Sequence, residues 1–151
     1  FTLNPKGAGF ALGEMKQMVQ GILAPGMKIG PDGAIYLTDW VRGWSPTGEG
    51  RLWKVDSVAG KGSAVRVAVL GLLKENFTAR PVPGLVELLR HEDQRVRLKA
   101  QFELVRRNEH IALSTAAAAT TPATREGQLS RVHAVWAVSY THLTLPTSDL
   151  G

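Results

Sequence analysis

Apolar residues recur at every second position weakly over residues 1–12 and clearly from residue 27 to 56, and beyond residue 64 they recur at about every 3.6. The strand-like pattern is sharpest in "AIYLTDW". There Ile35, Leu37 and Asp39 fall on one face and Ala34, Tyr36, Thr38 and Trp40 on the other. Both faces are largely apolar, which predicts that both are buried. Gly30-Pro31-Asp32-Gly33 precedes the run. It reads as a turn in which Pro presets φ, Asp bonds its own backbone and Gly accepts a positive φ. A second break, "SPTGEG", leads into "RLWKVD", so residues 27–56 predict a three-stranded antiparallel meander. Residues 1–12, with Pro5, Gly7 and Gly9, suit a strand with loop edges, and residues 14–23 suit a short connecting helix or loop. A meander of this size is marginal alone in water, because it exposes two edges and cannot cover two apolar faces. It is expected to belong to a larger sheet domain and to fold poorly without it.

"SVAGKGSA", residues 57–64, is rich in Gly and Ser and marks a linker, after which the pattern turns helical. Helices are predicted over 65–74, over 83–90 with Leu85, Leu88 and Leu89 on one side, and over 92–107. On the last of these Val96, Ala100 and Leu104 form one apolar stripe, and Leu98, Phe102 and Val105 form another on nearly the opposite side. Two stripes require two packing partners, as in a stacked solenoid. Residues 111–119 and 128–138 form the next predicted pair around Pro122, with Leu129, Val132, His133 and Trp136 at helical spacing. At Ser139 the pattern changes abruptly to alternating Thr and Leu. The run "SYTHLTLPT" resembles the peptide translated from a short-read sequencing adapter, so residues 139–151 are expected to be a non-native tail that cuts the last helix short. Tyr140 and His142 therefore receive no functional reading.

Composition narrows the chemistry. With 44% hydrophobic and 21% charged residues, the 151-residue chain is an ordinary globular sequence, and no apolar run approaches the length of a membrane span. The absence of Cys excludes disulfides, Cys-based zinc or iron–sulfur sites and c-type haem attachment within this stretch. The chain carries a net charge of +5, and Arg dominates among the basic residues of its second half, where acidic residues are interspersed. Basic and aromatic residues do not interleave there as a base-stacking platform would, so no nucleic-acid partner is expected. No targeting signal can be read from "FTLNPKGAGF".

Two segments carry a family resemblance. "GPDGAIYLTDWVRGWSPTGEGRLWKV", with the upstream "FTLNPKGAGF", resembles the last β-propeller blade in a bacterial family of membrane-bound dehydrogenases related to glucose/sorbosone dehydrogenases. "LVELLRHEDQRVRLKAQFEL" carries Asp93, Val96, Arg97 and Ala100 in the D-x-x-V-R-x-x-A arrangement of HEAT-type repeats, and "LSRVHAVWAV" is similar to the equivalent helix of a following repeat. The resemblance covers residues 1–137. It implies an α+β chain in which residues 1–56 are the C-terminal part of a truncated propeller, a three- to four-stranded antiparallel meander. Residues 57–64 would be the linker, 65–138 HEAT-like repeats and 139–151 the tail. It further implies an extracytoplasmic parent, a quinone-type oxidoreductase acting on sugars or alcohols, of which this fragment alone is inactive. The sequence itself specifies no cofactor; the resemblance admits PQQ in the full-length parent. The alternative is a non-catalytic propeller and HEAT scaffold that binds a carbohydrate or a protein.

The candidate site residues follow from the loop after the central strand. Asp39 is the one acidic residue of an apolar strand, and it stands beside Trp40 and near Arg42 and Trp44. One reading makes these four residues the lining of a pocket for substrate or quinone. The favoured reading makes Asp39 a loop cap and the Trp residues filler between blades. Gly30, Pro31, Asp32 and Gly33 are explained by turn chemistry, and Asp93, Val96, Arg97 and Ala100 by the helical repeat. Asp93 and Arg97 are expected to join hydrogen-bond ladders between repeats. His133 is expected to be a core residue with its ring nitrogens satisfied locally. Such dehydrogenases are similar in using a general base, usually His, but no His occurs in residues 1–90, so no catalytic residue and no metal ligand is assigned.

Overall fold

The computed structural model describes residues 2–42, 48–119 and 124–142, with side chains up to Tyr140. Strands β1 (Leu3–Lys6), β2 (Gly9–Leu12), β3 (Gly26–Ile29), β4 (Ile35–Asp39) and β5 (Arg51–Val55) precede the helices. These are α1 (Ala64–Lys74), α2 (Val82–Leu88), α3 (Gln94–Arg106), α4 (His110–Ala118) and α5 (Arg125–His142), with a 3-10 turn at Phe77–Ala79 before α2. Among the described residues the fold is mixed α+β, with two small antiparallel sheets and five α-helices. The chain divides into two compact units. The first runs from Gly13 to Lys74 and includes Thr2; the second joins Leu3–Leu12 to the chain from Glu75 onward.

In the first unit the strands lie in the order β3-β4-β5, as the sequence pattern predicts, with Leu37 opposite Met27 and Trp53, and Asp39 opposite Arg51. Burial is less even than the apolar pattern suggested. Leu37 and Asp39 are buried on one face of β4, whereas Thr38 on the other is exposed and Tyr36 half-buried. The reason is that the second face ends in polar atoms: Thr38 Oγ1 donates to the Gly26 carbonyl, and the Tyr36 hydroxyl donates to Asp32. Residues 14–20 take no regular structure; Met18, Val19 and Ile22 border the apolar face, and with Met27, Leu37 and Val55 they line a groove of about 310 Å³. Residues 57–63 form turns closed by Gly60 and Lys61 amides donating to the Ser57 carbonyl.

In the second unit β1 and β2 form a hairpin about Gly7 and Ala8, with Pro5 opposite Phe10. A single strand was expected here; Gly7 at φ 57° supplies the reversal that makes it two. Helix α2 packs on α3, α4 on α5, and α3 on α5. Leu85, Leu89, Ala100, Leu104, Leu113, Ala134 and Ala137 are wholly buried and, with Phe77, make one core. One predicted stripe of α3, Val96, Ala100 and Leu104, is completely buried, while Phe102 of the second is 53% exposed. On α5 the structure corrects the predicted stripe. Leu129 and His133 are buried, but Val132 and Trp136 are exposed, and Ser130, Ala134 and Ala137 take the inner positions. Small side chains let the helices approach closely where an indole would hold them apart.

Helix α3 begins two residues later than its pattern, because Asp93 is the N-cap rather than a helical residue. Beyond its C-cap Arg107 the chain turns at Asn108, whose φ of 58° allows its own amide and that of Glu109 to bond back to the Val105 and Leu104 carbonyls. Helix α5 is not cut short at Ser139 but continues to His142. Extending an existing helix costs far less than starting one, and the Ser139 hydroxyl adds a bond to the Trp136 carbonyl at 2.7 Å. The rest of the Thr/Leu tail, 143–151, lies outside the described residues. No helix among those residues is long and apolar enough to cross a membrane.

Candidate functional site

The turn before β4 is built as its residue types demand. The Gly33 amide donates to the Gly30 carbonyl at 2.9 Å with Gly33 at φ 76°. A Cβ on Gly30 would lie 2.3 Å from the Tyr36 ring, so only glycine fits. Asp32 Oδ1 accepts from the Ala34 amide, and Oδ2 accepts from the Tyr36 hydroxyl and from Lys54 Nζ at 2.6 Å. The Lys54 ammonium, helped by these other donors, holds the Asp32 carboxyl down at about 2. Pro31 sits exposed at the turn's corner. This cluster is wholly explained by turn chemistry.

Asp39 is 6% exposed. Its Oδ1 accepts from the Leu23 amide at 3.1 Å and the Val41 amide at 3.0 Å, and its Oδ2 accepts from Trp53 Nε1 at 2.9 Å. The indole donor, followed by the Val41 amide, holds the carboxyl below the usual carboxylate range. The carboxylate thus ties the incoming segment, the following loop and strand β5 together, which is the loop-capping role. Trp40 is half-buried, and its amide donates to the Leu23 carbonyl. Trp44 lies outside the described residues.

Two residues after Asp39 the loop carries a feature that no residue pattern announces. Val41 sits at φ 64°, a conformation that costs a β-branched residue on the order of 1–3 kcal/mol and that persists only where neighbours enforce it. Here the bond from its amide to Asp39 does so. Val41, Arg42, Gly48, Glu49, Gly50 and Arg51 line an open cavity of about 380 Å³ that is mainly polar. Arg42 Nε lies 3.0 Å from Glu49 Oε2, and both side chains remain well exposed. Of the four residues grouped by the sequence, the structure brings Arg42 to this cavity and places Asp39 as its support. Two guanidiniums and a carboxylate around such a space can donate to and accept from the hydroxyls of a small polar ligand.

The helical motif is internal. Val96 and Ala100 are core residues with no exposed surface. The Asp93 carboxylate accepts from the Arg95 amide at 2.9 Å and holds the Arg95 guanidinium at 2.6 Å. Desolvation pushes the Asp93 carboxyl up, but the Arg95 bonds outweigh it and the net displacement is downward. Arg97 Nη1 donates to the His91 and Glu92 carbonyls at 2.6 and 2.8 Å. The expected ladders between repeats are therefore replaced by local bonds: the Asp93 carboxylate holds Arg95 in the first turn of its own helix, and the Arg97 guanidinium reaches carbonyls of the turn between α2 and α3.

Two constellations escaped the sequence. Glu103 binds Arg106 and Arg107, chiefly the former, and its carboxyl is held at about 2. Arg107 in turn donates to the Phe77, Thr78 and Arg80 carbonyls. The second is Gln101, wholly buried, whose Oε1 lies 2.7 Å from His133 Nδ1. His133 is indeed a core residue, 4% exposed, and desolvation followed by the Arg97 charge lowers it to about 4. The only signal for Gln101 was a polar residue beside an apolar stripe. Among the described residues no three metal-ligating side chains converge. Comparisons with protein-family models, with curated proteins and with solved structures gave no match.

Proposed function

We propose that the chain is the closing blade of a dehydrogenase-like β-propeller followed by the start of a HEAT-type array, and that its loop after β4 supplies part of the rim at which the parent receives a sugar or an alcohol. The observation that carries the ligand-facing role is the strained Val41, pinned by Asp39 beside the polar cavity of Arg42, Glu49 and Arg51. Strain of this kind is kept where a backbone must hold a set position. The propeller reading draws support from the meander itself: within the described residues β3 and β5 each pair on one side only, and an apolar groove is left on the sheet face. Such edges and faces suit neighbouring strands. The HEAT reading draws support from the pairing of α2 with α3 and of α4 with α5, and from α3 against α5. In charge, Arg42 and Arg51 fit the carboxylates of an acidic quinone such as PQQ, and Glu49 opposes them. The parent would act outside the cytoplasm.

The second reading, a scaffold that binds a glycan without turnover, is favoured by Asp39, whose three accepted bonds leave its carboxylate committed to the fold. One experiment separates the two. The native reading frame, extended at both ends from its locus, is expressed and assayed for dye-linked oxidation of sugars and alcohols with and without PQQ. The oxidoreductase reading expects turnover, with Arg51→Ala raising KM more than it lowers kcat. Sugar binding without turnover supports the scaffold. An extended frame with no further Gly-Pro-Asp-Gly hairpins, or one that neither binds nor oxidises these ligands, overturns both.

A further inference from the structure

The seam between α3 and α5 holds a polar cluster in a core that is otherwise apolar. Gln101 has no exposed surface, His133 is 4% exposed and Arg97 5%. An amide oxygen only accepts, so the 2.7 Å contact of Gln101 Oε1 with His133 Nδ1 places the proton of the neutral ring on Nδ1. The other ring nitrogen, Nε2, is then an acceptor. In this cluster donors are already in surplus: Arg97 Nε and Gln101 Nε2 are buried and have no acceptor among the described residues. Protonating the ring would turn its last acceptor into a further donor and add positive charge beside a fixed guanidinium.

No described carboxylate compensates. On α3 the remaining ionisable groups are engaged elsewhere: Arg95 with Asp93, Lys99 with the Glu75 carbonyl, and Glu103 with Arg106 and Arg107. Helices α2 and α4, which also pack on α5, carry only the exposed Glu87 and His110. On α5 itself the Trp136 ring is 6.1 Å from the imidazole, Glu126 and Arg131 are exposed, and Arg125 is turned to the Gly7 and Gly9 carbonyls. Glu92 lies 3.6 Å from Arg125, and its side chain is 63% exposed.

We propose that His133 is an acid-sensitive latch: neutral, its ring fits the seam between α5 and α3, and protonated at Nε2, its buried charge beside Arg97 opens that seam. The depressed pKa supports the direction. A group lowered from 6.5 to about 4 on folding stabilises the closed seam fully above 6.5 and progressively less as the pH falls towards 4. At about pH 4.5 the closed state is disfavoured on the order of 10²-fold relative to neutral pH.

Imidazole nitrogen resonances and amide exchange of the whole chain test this. The expected result is an Nδ1–H tautomer that stays neutral well below pH 6. With it, α3 and α5 amides should exchange on the order of 10²-fold faster at about pH 4.5 than at neutral pH, after correction for intrinsic chemistry. His133→Gln, which cannot titrate, should lose the dependence. A ring that titrates near 6.5 with unchanged protection, or a folded His133→Gln with the same acid loss, overturns the proposal. If that variant does not fold, the titration of the native chain still decides.

Discussion

Truncating Leu104 to Ala tests the packing of the helical unit most directly. Leu104 has no exposed surface and belongs to a cluster with Leu85 of α2 and its C-cap Leu89, Leu113 of α4, and Ala134 and Ala137 of α5. Leu→Ala removes the transfer free energy of the lost carbons, and an unrelaxed cavity adds to it, for a total of about 2.7–5 kcal/mol. Here the walls come from three other helices, and two of the wall residues are alanines that cannot swing inward. The site should collapse poorly, which places the loss in the upper half, at about 4 kcal/mol. A unit of this size holds roughly 4–13 kcal/mol in all, so the effect is a large part of its stability. Phe102, one turn-face away, is 53% exposed, and Phe102→Ala opens no sealed void; half its buried area corresponds to about 1–2 kcal/mol. Urea unfolding followed by far-UV circular dichroism, to which the helices contribute most, gives both values. A loss below about 1.5 kcal/mol for Leu104→Ala, or an equal loss for Phe102→Ala, would refute the assignment of the buried stripe.

Two further substitutions address the cap residues. Asp39→Asn should speed exchange of the Leu23 and Val41 amides and of the Trp53 indole N–H by about tenfold or more, because an amide cannot accept from all three donors; unchanged exchange would mean that the carboxylate does not hold the loop. The Asp39 and Asp32 carboxyls lie below their ordinary values, so their contribution is present above the usual carboxylate range and is lost only as pH falls through the depressed values. The Trp53 indole proton should therefore still be protected at about pH 4.5. Asp93→Ala should cost about 1 kcal/mol by removing the N-cap of α3, read from the same urea titration, and Asp93→Asn should recover most of it; an unaffected midpoint for the Ala variant would exclude the cap.

How far the sequence could be read depended on how local the physics is. The meander, its Gly30–Gly33 turn and the Asp93 cap follow from bonds spanning a few residues, and their residue types announce them. The two apolar stripes of α3 were legible as well, but which of them would be sealed was not, since Phe102 is more apolar than Ala100 and yet stays exposed. The inner face of α5 was not. Hydrophobicity ranks Trp136 above Ala134, but a close helix contact selects for size, and which helices approach closely is a tertiary fact. The Gln101–His133 bond spans 32 residues and leaves no periodic trace. Val41 was hidden for another reason. Nothing in a valine announces a left-handed backbone; only the donors gathered by Asp39 make it tolerable.

The clasp of Arg107 bears on how the assembled helical unit comes apart. Its guanidinium lies at the C-cap of α3 yet holds the carbonyls of Phe77, Thr78 and Arg80, 27 to 30 positions upstream. The Phe77 carbonyl accepts locally from the Arg80 amide, but the Arg107 bonds form only when α3 is wound to its last turn and the intervening segment has closed into a loop. The 3-10 turn thus gains three further bonds from a residue far downstream, at the entropic cost of closing that loop. Bonds of such long sequence separation are expected to act mainly on escape from the assembled unit, so Arg107→Ala should quicken unfolding more than it slows folding.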